Sequence, residues 1–266
     1  MRLSGKVALI TGAAQSQGRS HAVRLAAEGT DIIAVDICRQ IDFVPYAMGT
    51  EEGLAETARL VEKAGRRVYT ARADVRDAEG LAAAVEEGVA ELGRLDIVSA
   101  NASIATVQPH DEITPEIWQT TLDINLTGVW HTCAAAIPHL VAAGGGSIVI
   151  TGSSAALKGL PFYLPYVAAK HALVGLARSL ALELADRNIR VNTIHPTGVD
   201  TPQGHSAVLP ELLEARPDLG PLFMNSLPVP RIEAIDVSNA LVFLASDEAR
   251  YVTGAAFPID AGSTIR

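Results

Sequence analysis

Between Lys6 and Asp36 the chain sets out an apolar strand (Lys6 to Ile10), the turn Thr11-Gly12-Ala13-Ala14-Gln15-Ser16-Gln17-Gly18, a helix (Arg19 to Glu28) closed by Gly29, and a second strand, Asp31 to Val35, that ends on a carboxylate. This order restricts the fold more than anything else in the sequence. Two short β-branched strands joined through a helix pair in parallel, and a parallel sheet must be covered on both faces. The alternation then continues. Helices are predicted at Glu51 to Ala64 and Ala78 to Leu92, and strands at Arg67 to Val75, Leu95 to Ala100, Ser147 to Thr151, Ile189 to Ile194 and Ala256 to Ile259. The expectation is an α/β, Rossmann-type doubly wound parallel sheet of about seven strands with helices on both faces.

The 266 residues, 48% of them hydrophobic, suffice for one large core, and no linker interrupts them, so 1–266 reads as a single domain. A net charge of -9 argues against nucleic acid as a partner. Cys38 and Cys133 match no metal or redox spacing, which fits a reduced, cytoplasmic protein. No stretch reads as a membrane span: the most apolar helix, Leu173 to Ala185, carries Arg178 and Glu183.

The first turn offers a phosphate site, because unpaired N–H groups at a helix N-terminus carry partial positive charge and glycines let backbone approach closely. Asp36 stands eighteen residues after Gly18, near the spacing of a carboxylate that binds an adenosine ribose diol; a helix cap or a solvated strand end is the bland alternative. A carboxylate there would repel the additional phosphate of NADP, so NAD is preferred. Arg19 and Arg39 keep NADP as the minority option. The connection Ile37 to Gly49, with Phe43, Pro45 and Tyr46, is longer than a strand-to-helix loop needs, and suggests a flap over the adenine end, a subunit contact or a docking surface.

Chemistry concentrates in SIVITGSSAALKGLPFYLPYVAAK, Ser147 to Lys170. A strand leaves through Gly152, Ser153 and Ser154, and from Leu164 the pattern is helical, which stacks Tyr166 and Lys170 one turn apart. A free phenol ionises near pH ~10. One cation at about 4 Å, with an effective dielectric of about 20, stabilises the phenolate by roughly 4 kcal/mol, a downward pull of up to about three pK units before burial is counted. The same pair also arises by chance on solvated helices.

Other positions are less specific. Asp74 could accept from an adenine amine or cap a loop. Asn101-Ala102-Ser103 sits at a strand's carboxyl end, and Thr114-Pro115 starts a long helix in which Asn125 is either structural glue or part of a water-linked proton path toward Lys170. His131, His139, His171 and His195 lack metal-like spacing, so no metal is expected. The segment Thr197 to Pro230 reads as a substrate lid, with Leu209, Leu212, Leu213, Leu222, Phe223 and Met224 over the pocket or packed as an edge helix.

Together, Thr11-Gly12 with Gly18, Asp74, Asn101-Ala102, Asn125, Ser153, Tyr166-x-x-x-Lys170 and Pro196-Thr197-Gly198 resemble the short, single-domain short-chain dehydrogenase/reductases over essentially the full length. The resemblance implies that Tyr166 exchanges a proton with the substrate oxygen and Ser153 hydrogen-bonds that oxygen. Lys170 would lower the tyrosine pKa and hold the nicotinamide ribose, and Asn125 would anchor a relay water. Gly12, Ser16, Gln17 and Gly18 would frame the pyrophosphate, Asp36 the ribose, and Asp74 and Val75 the adenine. Asn101, Ala102, Pro196, Val199 and Thr201 would complete the cofactor site.

Gly18-Arg19-Ser20-His21-Ala22, Ala34 to Cys38 and His195 to Pro202 are further similar to the carveol-dehydrogenase-like, mycofactocin-associated branch. That implies an apolar, terpenoid-like secondary alcohol or its ketone, a tightly retained NAD and a peptide-derived redox carrier. The family also implies a homo-oligomer, tetramer or dimer. Ser16 and Ser103 stand where the family usually has glycine, which bears on cofactor affinity, and a catalytically weak dinucleotide-binding sensor or scaffold is the rival reading.

Overall fold

In the computed structural model, which describes residues 1–205 and 208–266, the chain folds around one sheet of seven strands. These are β1 (Val7–Thr11), β2 (Asp31–Asp36), β3 (Val68–Arg72), β4 (Ile97–Ala100), β5 (Gly146–Thr151), β6 (Ile189–Pro196) and β7 (Ala256–Ile259). Their spatial order is β3-β2-β1-β4-β5-β6-β7, and every pairing is parallel. After β3 the chain crosses back over β1 and β2 to start the second half, so the crevice outside the carboxyl ends of β1 and β4 is the topological switch point where such sheets bind ligands.

The helices are α1 (Ser16–Ala26), α2 (Glu51–Lys63), α3 (Ala78–Leu92), α4 (Pro115–Leu122), α5 (Gly128–Ala142), α6 (Leu164–Glu183), α7 (Val208–Ala215) and α8 (Ala234–Ala245). Buried Ala22, Leu25, Val61, Val237 and Leu241 cover one face of the sheet from α1, α2 and α8. Leu81, Val85, Cys133, Leu140, Leu173 and Ala177 cover the other from α3, α5 and α6. Burial on both faces is why the inner strands β1 and β2 read as apolar runs.

Two elements differ from the sequence reading. The strand expected to Val75 stops at Arg72: the Ala73 N–H makes the last bond to β2, at the Asp36 carbonyl, and Asp74 and Val75 beyond it line the crevice. The long helix from Thr114 holds one turn of π-helix, Asp123–Thr127, between α4 and α5. Such turns insert an extra residue and rotate the next stretch of helix about its axis, and this one holds Asn125 fully buried. Among the described residues no helix is long and apolar enough to cross a membrane. Residues 206 and 207, within the expected lid, lie outside the described residues.

Candidate active site

A cleft of about 410 Å³ runs along the carboxyl edge of the sheet, in the range of small-molecule sites. Asp36, Asp74 and Val75 line one end. The first turn (Gly12, Ser16, Gln17, Gly18) forms its floor, and Asn101 and Ala102 lie beside it. Ser153, Tyr166, Lys170, Pro196, Val199 and Thr201 line the other half. Of the catalytic and cofactor-binding residues singled out from the sequence, Asn125 alone does not line the cleft: its Nδ2 donates to the Ile104 carbonyl at 2.7 Å and its Oδ1 accepts the Ile104 N–H at 2.9 Å. Both arms of the amide are engaged with the Ile104 backbone.

The first turn is shaped for a close-lying group. Gly12 has φ +71°, and a Cβ at Gly18 would lie 1.9 Å from the Gly12 carbonyl oxygen, so the chain folds back on itself with no room for a side chain. Ser16 adopts φ +52°, the left-handed conformation that disfavours any residue but glycine, so the serine there carries backbone strain. Asp36 is buried, and its oxygens accept the Ala14 N–H at 3.0 Å and the Cys38 N–H at 2.9 Å. The carboxylate thus braces the turn as well as facing the cleft. A Cβ at Gly49 would stand 2.8 Å from Asp36 Oδ1, so the loop 37–49 both leaves and returns against this one side chain.

The residues present suit a dinucleotide: a glycine-bearing turn at a helix N-terminus, and a buried carboxylate at the carboxyl end of the next strand, in the same cleft. The cations that would favour an additional phosphate are occupied. Arg19 donates to Thr57 Oγ1 and to the Gly53 and Ala14 carbonyls, while Arg39 and Arg76 pair with Asp74.

At the other half, α6 places Tyr166 and Lys170 one turn apart, with Lys170 Nζ 5.4 Å from the Tyr166 ring centroid. Lys170 is 1% exposed and donates to the Thr151 carbonyl at 2.7 Å. Ser153 Oγ accepts the Ala155 N–H at 3.1 Å, which leaves its proton for the cleft. His195 packs beneath it, with Nδ1 2.9 Å from the Ser153 carbonyl and Nε2 2.7 Å from Thr193 Oγ1, and steadies the serine as a buried structural histidine.

Electrostatics depart from the sequence expectation. Burial raises the Tyr166 hydroxyl above its ordinary value, and the Ser153 and Gln203 side chains, hydrogen-bonding to it, pull the other way. Burial lowers Lys170 from 10.5 to about 7. An ammonium whose own charge is half lost near neutrality cannot exert the full pull expected from a lysine one turn away.

The comparisons with known proteins agree with this geometry. A family model described as enoyl-(acyl carrier protein) reductase matches residues 12–264. Over 276 aligned residues the chain is 52% identical to the (-)-trans-carveol dehydrogenase of Rhodococcus erythropolis, covering 100% of this chain and 99% of that one. The chain belongs to the short-chain dehydrogenase/reductase family. Among solved members, the carveol dehydrogenase from Mycobacterium avium in complex with NAD superimposes with a TM-score of 0.95 at 50% identity, covering 100% of this chain and 99% of that one. A short-chain dehydrogenase from Mycobacterium paratuberculosis bound to NAD gives 0.98 at 47% identity and full coverage of both chains.

Sequence reasoning missed part of this dehydrogenase/reductase site. Gln203, Leu160, Tyr163 and Arg231 line the cleft, and Tyr46 reaches into it from the long loop. The Tyr163 ring lies 6.1 Å from that of Tyr166 and 6.3 Å from that of Phe223. Tyr163 precedes the helix by one residue, and only the excess of aromatics near Tyr166 hinted at it. Of the lid residues, Leu209, Leu222 and Phe223 line the cleft, whereas Met224 is half exposed and turned away.

Proposed function

We propose that the protein is an NAD-dependent oxidoreductase that interconverts an apolar secondary alcohol, of the cyclic terpene kind, and its ketone. The observation that carries this reading is one continuous cleft with the buried Asp36 carboxylate at one end and Tyr166, Lys170 and Ser153 beside Leu160, Leu209, Leu222 and Phe223 at the other. NAD, when bound, supplies the hydride acceptor. The chain's own residues supply position and proton control. Ser153 Oγ directs its free proton to the substrate oxygen, and Tyr166 Oη takes the alcohol proton in oxidation or returns it in reduction. Leu160, Tyr163, Leu209, Leu222 and Phe223 exclude water from the reacting carbon. The mostly apolar lining is the support for a terpenoid-like substrate, together with the substrate named for the Rhodococcus relative.

The segment 197–230 acts in this reading as the substrate lid, and the loop 37–49 retains NAD. Gln15 Nε2 donates to the Ala47 carbonyl at 3.1 Å and Tyr46 reaches Gln203 at 3.3 Å, so the loop is tied to both the phosphate turn and the lid. Re-oxidation in place by a peptide-derived redox carrier is the natural consequence of such retention. Exposed Trp130 on α5 and Leu182 on α6 support assembly into a homo-oligomer, dimer or tetramer, in the cytoplasm.

Turnover of carveol with NAD, followed by NADH absorbance and in parallel with an artificial electron acceptor, tests the reading. Tyr166→Phe is expected to lose about 10²–10⁴-fold in turnover while still binding NAD. Turnover at the parent rate would refute the mechanism; two proteins that bind NAD and oxidise no alcohol would favour the sensor. NAD that stays with the protein through gel filtration supports retention, and free exchange counts against it.

A further inference from the structure

Gln203 sits on the short 3-10 turn Pro202–His205, where no motif points to it. Its surroundings give its amide a direction. The Tyr46 hydroxyl receives the Ala105 N–H at 3.0 Å. A backbone N–H can only donate, so the phenol oxygen is the acceptor in that bond, and its one proton is left for Gln203 Oε1, 3.3 Å away. With the carbonyl end of the amide turned to Tyr46, the NH₂ end is left for the cleft, which Tyr46, Gln203 and Tyr166 all line. The chain of contacts therefore runs from Ala105 through Tyr46 to Gln203, in the cleft that Tyr166 shares.

We propose that Gln203 is a positioning residue for the catalytic hydroxyl, an amide donor to Tyr166 whose orientation is set by Tyr46 from the loop 37–49. The inference rests on Tyr166 being the general acid/base. A donor at that oxygen matters because a phenolate accepts hydrogen bonds and cannot give one, so an N–H pointing at it favours the ionised form. Lys170 is the group first expected to do this, but its Nζ donates to the Thr151 carbonyl. Ser153 and Gln203 are the side chains that pull the hydroxyl's pKa down against its burial. The coupling also means that a loop lifted from the cleft takes Tyr46 with it, leaves the amide free to flip, and lowers the competence of Tyr166.

The test is the pH dependence of kcat/KM for carveol oxidation in the full-length parent, Gln203→Leu, Gln203→Glu and Tyr46→Phe. Loss of one hydrogen bond to a charged acceptor predicts that Gln203→Leu moves the acid limb up by about one pH unit, a roughly tenfold loss on the acid side that vanishes at high pH. Gln203→Glu places a carboxylate at the same spot and moves the limb further in the same direction. Tyr46→Phe keeps the ring and gives a smaller shift of the same sign. Ring-carbon NMR of labelled tyrosine, assigned by loss of the signal in Tyr166→Phe, reads the same displacement without turnover. An unmoved limb and an unmoved NMR midpoint in Gln203→Leu would overturn the proposal, whatever the change in rate. Parent-level turnover in Tyr166→Phe is a separate failure, that of the acid/base reading itself.

Discussion

Replacing Lys170 by Met should stabilise the protein at neutral pH while abolishing turnover. The Lys170 side chain is 1% exposed, and its pKa falls from 10.5 to about 7 through burial. The unfolded chain therefore binds more protons than the folded one between those two values, and this group's contribution to stability rises with pH across that window. At ~1.4 kcal/mol per pH unit, the full gap corresponds to a cost of roughly 4 kcal/mol at pH ~7. Methionine fills a similar volume without charge. Against the gain stands the Thr151 carbonyl, which loses its 2.7 Å donor and costs about 1–3 kcal/mol when left unpaired. The net expectation is a gain of about 1–3 kcal/mol near pH 7 that shrinks and reverses toward pH 10, as the parent recovers its own stability. Urea unfolding of both proteins at a series of pH values in that window measures the difference. A difference independent of pH would refute the reasoning, since it would mean that Lys170 ionises alike in the folded and unfolded chains.

Ser16→Gly should raise the urea midpoint, by about 1 kcal/mol of stability, since glycine adopts the φ of +52° without steric cost; an unchanged midpoint would mean that the serine hydroxyl compensates locally. Gly18→Ala should destabilise by about 3 kcal/mol and abolish NAD binding by calorimetry, because the added carbon would sit 1.9 Å from the Gly12 oxygen; retained binding would show that the turn moves freely. Asp36→Ala should weaken NAD binding and also loosen the turn, read as faster amide exchange at Ala14 and Cys38, the two N–H groups that it accepts.

The centre of the sheet was legible because burial on both faces writes strands such as Val7–Thr11 and Asp31–Asp36 as apolar runs, and the partly exposed edge strand Ala256–Ile259 and the helix Ala78–Leu92 also fall where the sequence places them. The Tyr166 and Lys170 pair was legible because a helix guarantees that residues four apart share a face. What could not be read was how far each group would be from water: the sequence says that the lysine lies near the phenol but not that both are buried, and burial turned the expected shift of Tyr166 upward. Gln203 and Tyr46 escaped for another reason. They are brought together across 157 positions by two irregular segments, and periodicity carries no information about contacts of that kind.

The excursion from Ile37 to Gly49 begins and ends at a single point, since Cys38 bonds to Asp36 and Gly49 lies flush against the same carboxylate. A detour whose feet stand together imposes no separation on the framework beneath it, and doubling its length adds only about 0.6 kcal/mol of closure entropy. Evolution can therefore lengthen, trim or rewrite this ornament without moving a strand, provided that an acid stays at position 36 and a residue without a side chain at position 49.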